Sequence, residues 1–110
     1  MTDAQSPTVT RTGDEVTAVI TGEFDMPATF TTEPALERAL EQPGLRSFTL
    51  DLTGLTFIDS LGLGVVARLA AELEARAIPM RILPGSPPVQ RVFTSAGLAQ
   101  ALPFEPERTG

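Results

Sequence analysis

The residues with the most chemical promise stand together in LTFIDSLGLGVVARL, residues 55–69, where an apolar run gives way to Asp59-Ser60 and then to Gly62 and Gly64. If a buried strand ends here and a helix begins, the first helical turn presents unpaired N–H groups and a partial positive charge. Such a turn accepts a capping carboxylate or hydroxyl, and it also suits a bound phosphate. Asp59 and Ser60 are both good caps, and the glycines withdraw side chains so that a partner backbone or an anion can approach closely. The plainer reading is that Asp59 or Ser60 is a cap and nothing more, with the glycines there to relieve crowding.

Other constellations lead less far. Gly62-x-Gly64-x-x-Ala67 imitates the dinucleotide-binding fingerprint, but no acidic residue closes the following segment PMRIL, and 110 residues are too few for the usual two-half sheet. Glu23, Asp25, Asp51 and Asp59 are the candidates for paired carboxylates that hold Mg²⁺ or hydrolyse a bond; solvated caps and loop charges explain them more simply.

Composition removes most of the remaining chemistry. Cys, His, Trp, Tyr and Lys are absent, and all 8 basic residues are arginine. That excludes a Ser-His-Asp triad, a cysteine nucleophile, a conventional zinc site and a Schiff-base lysine. No catalytic residue, metal site or cofactor is therefore assigned, and a binding protein is expected rather than an enzyme. A net charge of −6 repels phosphate backbones and anionic lipid, so nucleic acid and membrane are poor partners and a surface with a basic patch is a better one.

The elements that must position residues 59–64 follow from periodicity. Residues 1–7 are polar and expected to be flexible. Thr8 to Thr12 and Glu15 to Thr21 alternate β-branched residues around Gly13-Asp14 and read as a hairpin, with Val16, Ala18 and Ile20 on one face. Gly22 to Pro27 reads as a loop. Phe30, Leu36 and Leu40 mark a helix whose regular part starts near Thr32, with Pro34 in its first turn, and which stops at Pro43-Gly44. Phe48, Leu50 and Leu52 alternate as a central buried strand that runs through a bend at Gly54 into a loop. From Ser60 to Ala77, Leu63, Val66, Ala70 and Leu73 recur at helical steps, which turns Leu61, Val65, Arg68 and Glu72 outward. Pro79 to Leu83 is a short strand, Val89 to Ser95 a helix ending at Gly97, and Leu102 to Phe104 a possible last strand. Strands alternating with amphipathic helices imply an α/β fold, here a mixed β-sheet of four to five strands with helices packed against it.

In this context DLTGLTFIDSLGLGVVARL resembles the signature of STAS domains in bacterial anti-sigma-factor antagonists, in which a strand, an Asp-Ser pair and a Gly-Leu-Gly helix start follow in this order. Gly22-Glu23-Phe24-Asp25 is similar to the family's Gly-Glu-Leu-Asp segment, and Val89 to Leu98 resembles its penultimate helix. The resemblance covers residues 8–104 as one domain, leaving 105–110 as a tail. It implies a partner-switching module that docks an anti-sigma factor, itself a serine protein kinase, through Asp25, Asp59, Ser60, Leu61, Gly62, Gly64, Val65 and Arg68. It also implies that the kinase phosphorylates the hydroxyl residue just after the Asp-Ser pair. That position is Leu61, which has no hydroxyl. Either Ser60 takes the phosphate one residue earlier, or the switch is lost and Leu61 is a permanent apolar contact. The other function consistent with the resemblance is a scaffold or sensor that binds a nucleotide or another small ligand at the same helix start. A cytoplasmic setting and a weak homodimer complete the expectations; no stretch approaches the ~18 apolar residues of a membrane helix.

Overall fold

The computed structural model describes residues 7–106. Most of the expected flexible N-terminus and most of the tail lie outside the described residues.

Nine elements follow one another: β1 (Thr8–Thr12), β2 (Glu15–Val19), β3 (Gly22–Phe24), α1 (Met26–Leu40), β4 (Ser47–Asp51), β5 (Leu55–Ile58), α2 (Ser60–Ala75), β6 (Met80–Leu83) and α3 (Pro87–Ser95). Gly13, at φ +63°, supplies the left-handed residue that the two-residue β1–β2 hairpin requires, and it sets the register from Thr12 opposite Glu15 to Thr8 opposite Val19. The four-stranded sheet has the order β1-β2-β4-β6, antiparallel at β1–β2 and parallel elsewhere. Val16 and Ala18 of β2 lie in register with Phe48 and Leu50 of β4, and Leu50 with Ile82 of β6, so that all five are buried on one face. The intervening residues Thr17, Val19, Thr49 and Asp51 are only half-buried. The fold is thus the mixed α/β arrangement that the pattern implied.

Two expected loops are strands. Beyond Val19 and Asp51 the chains of β2 and β4 stay together through Ile20 N–H donating to Asp51 O (3.0 Å) and Gly22 N–H to Gly54 O (3.1 Å), then pair again as β3 and β5. Gly54 is needed at this crossing, where a Cβ would come within 2.9 Å of Thr21 Cγ2. Phe24, Leu55 and Ile58 on this extension are buried. Pairing between segments far apart in the chain makes these short runs strands, and local propensity does not reveal it.

The first helix also begins earlier than expected, at Met26, because Asp25 caps it and Pro27 fits its first turn. Pro34 consequently lies inside the helix and has no N–H to give to the Phe30 carbonyl. Phe30 is not a core residue: α1 buries Ala28, Thr32, Leu36, Ala39 and Leu40 instead. The expected last strand reduces to one parallel bridge between Ile82 and Phe104, whose ring meets Phe93 edge-on at 5.0 Å.

Candidate functional site

Two strand-to-helix corners stand side by side. Phe24 and Ile58 are partners in the parallel β3–β5 pair, so the residues that follow them, Asp25 and Asp59, leave the sheet at the same edge. Their backbones are almost superposable in conformation, at φ −108°, ψ −172° and φ −107°, ψ −177°. Each aspartate is the N-cap of the helix it precedes.

At the second corner Asp59 Oδ1 accepts from both Leu61 N–H and Gly62 N–H at 3.0 Å, and Asp59 N–H donates to Phe24 O at 3.2 Å. Three of the first four N–H groups of α2 are thereby satisfied, leaving that of Ser60. A free anion would have to displace the Asp59 carboxylate to reach the others, which argues against a nucleotide phosphate at this helix start. Gly62 is buried: a Cβ there would lie 2.5 Å from Phe24 O and 2.9 Å from Phe24 Cγ. The glycine lets α2 rest on β3. Gly64 is different, since its Cβ would meet only the Arg68 guanidinium, at 3.3 Å.

Among the expected site residues, Ser60 is exposed, Asp25 and Asp59 are half-buried, and Leu61 keeps 49% of its surface open. The expected outward direction of Val65 is wrong: it is 3% exposed. Seating Gly62 on Phe24 rotates the buried stripe of α2 to Gly62, Val65, Val66, Leu69 and Leu73, leaving Leu63 and Ala70 only partly covered, and α1 shields the flank that carries Val65. Arg68 is exposed but engaged, its Nη2 lying 3.0 Å from Glu33 Oε2 across the two helices.

The sequence reading missed Met26 and Phe30. They are 52% and 72% exposed, lie four residues apart on the first two turns of α1, and stand at the same end of the helical layer as Leu61. The signal was Asp25 followed by Pro27, an N-cap with proline in the first turn, which places residues 26 and 30 on one helix face. Phe57, at 47%, is another exposed large side chain on the strand entering the second corner.

With this geometry in view, the kinship is plain: the STAS domain model matches residues 6–109, and the chain belongs to that family. Among its relatives, the anti-sigma F factor antagonist of Lysinibacillus sphaericus is 33% identical over 87 residues, covering 79% of this chain and 74% of the relative. Among solved structures, the anti-sigma factor antagonist SpoIIAA in its unphosphorylated form is 28% identical with a TM-score of 0.76, covering 92% of this chain and 89% of that one. The Bacillus cell fate determinant SpoIIAA in its phosphorylated form is 27% identical with a TM-score of 0.70, covering 92% of each chain.

Proposed function

We propose that this protein is a cytoplasmic regulatory binding protein of the anti-sigma-factor-antagonist kind, docking an anti-sigma factor that is also a serine kinase through the start of α2. The observation that carries the reading is Leu61, a large apolar side chain half open to solvent on the helix start that Asp59 caps, next to the corner that Asp25 caps. Apolar area at the centre of a patch with a polar rim is the arrangement in which a buried anchor contributes most to association. Gly62 and Val65 support this platform from beneath, and the contacting set reduces to Asp25, Asp59, Ser60, Leu61, Gly64 and Arg68.

The same residue removes the phosphoacceptor that the family resemblance places at position 61. Ser60 is a poor substitute. A phosphate there would feel the α2 dipole, but it would face the adjacent Asp59 carboxylate, which already holds the two N–H groups best placed to receive it. The reading is therefore a permanently competent antagonist.

Titration calorimetry against candidate anti-sigma factor kinases is the test. A 1:1 complex is expected, with Leu61→Asp weakening it at least about a hundredfold while leaving the melting temperature unchanged. Failure of the wild-type chain to bind any such kinase refutes the proposal.

A further inference from the structure

α1 and α2 run side by side, and the groove between them has two unlike ends. Arg68 reaches Glu33 across it, and further along Arg76 Nη1 donates to the Leu40 carbonyl, so the helices remain adjacent for most of their length. Leu36, Leu40, Val65 and Leu69 form the floor. Met26, Phe30, Glu33 and Glu37 recur at steps of four, three and four along one stripe of α1; Leu61, Arg68, Glu72 and Arg76 share a stripe of α2.

Beyond the groove's N-terminal end, at the starts of the two helices, Met26, Phe30 and Leu61 are all about half exposed or more, and Gly64 leaves α2 bare of side chain in its second turn. The C-terminal end is acidic. Both arginines are engaged, Arg68 with Glu33 and Arg76 with Glu72, whereas Glu37 and Glu41 make no ion pair among the described residues. An apolar mouth continuing into two unneutralised carboxylates is complementary to a partner element whose apolar residues are followed by basic ones.

We infer that this groove seats an amphipathic helix of the partner, its apolar residues against Met26, Phe30 and Leu61 and its arginines or lysines over Glu37 and Glu41. The inference rests on the antagonist reading above and adds the shape and charge of what is bound. α1 has 15 residues, roughly 22 Å at 1.5 Å per residue, so about four turns of a partner helix cover the groove. An apolar furrow between two neighbouring helices is a common seat for such a ligand. A second copy of this chain is a poor occupant, because two molecules of net charge −6 would bring the same carboxylates together.

The test uses the full chain and the anti-sigma factor kinase that it binds. Phe30→Ala and the double substitution Glu37→Arg/Glu41→Arg are each expected to raise Kd about tenfold or more, the latter erasing most of the salt dependence. Hydrogen exchange on the kinase in complex with the unsubstituted chain is expected to protect one contiguous helical segment that carries both apolar and basic residues. If Leu61→Asp abolishes binding while Phe30→Ala and the charge reversal bind as wild type, the groove inference is overturned and the antagonist reading survives. Protection confined to loops or extended segments of the kinase also overturns it, as does self-association of this chain through the groove in place of the kinase. No binding by the wild-type chain overturns both.

Discussion

The two corners that begin α1 and α2 are built to one plan and finished differently. Asp25 and Asp59 have nearly the same backbone angles and follow paired residues of neighbouring strands. Asp59 accepts two N–H groups at 3.0 Å, while Asp25 accepts one, from Ala28 at 3.3 Å, because Pro27 occupies the intervening position and has no N–H to offer. Three residues past each cap the difference widens: α2 has Gly62 pressed on the Phe24 carbonyl, and α1 has Ala28 with room for its methyl group. One helix start is held tightly to the sheet and displays a single large side chain. The other is capped more lightly and displays Met26 and Phe30. A platform for recognition needs fixed geometry beneath an exposed residue, and α2 supplies it.

Exchanging the residues at those third positions should expose this difference most clearly. Gly62→Ala is expected to cost about 3 kcal/mol, since the new methyl must push Phe24 or the helix aside, whereas Ala28→Gly costs about 1 kcal/mol of helix propensity. Thermal or urea unfolding measures both, and equal costs would mean that the corners are packed alike. The caps come next. Asp59→Ala should cost about 1.5 kcal/mol and Asp25→Ala about 0.5 kcal/mol, since Asp59 accepts two N–H bonds at 3.0 Å and Asp25 one longer bond at 3.3 Å. A larger loss at Asp25 would reverse the ranking. Opposite in sign is Thr32→Val in α1: the Thr32 hydroxyl is buried with no hydrogen-bond partner among the described residues, so replacing it with a methyl group should stabilise the fold by about 1 kcal/mol, seen as a rise of about 4 °C in Tm.

Much of this was legible in the residues themselves. The hairpin turn at Gly13, the alternation of Phe48 and Leu50, and the helix after Asp59 all obey local rules, and the structure bears them out. What escaped depends on contacts between distant segments. Gly22–Phe24 and Leu55–Ile58 are too short and irregular to announce strands and exist because they pair with each other. The burial of Val65 follows from α1 lying against α2, and the rotation of the α2 stripe follows from Gly62 resting on Phe24; neither neighbour is visible in a helical periodicity. The early start of α1 is written in Asp25 and Pro27, which spell a helix beginning, whereas Pro34 imitates the same first-turn proline further along the chain.

In the proposed function the α2 corner presents Leu61 as a fixed apolar contact where a phosphorylatable hydroxyl would make it switchable. The measurement that bears on it most directly is incubation of the protein with a candidate anti-sigma factor kinase and ATP, followed by intact mass spectrometry and gel filtration. The wild-type chain should stay unmodified and bound, and Leu61→Ser should acquire one phosphate on the new serine and dissociate. A phosphate on Ser60 of the wild-type chain, with release of the kinase, would contradict the account.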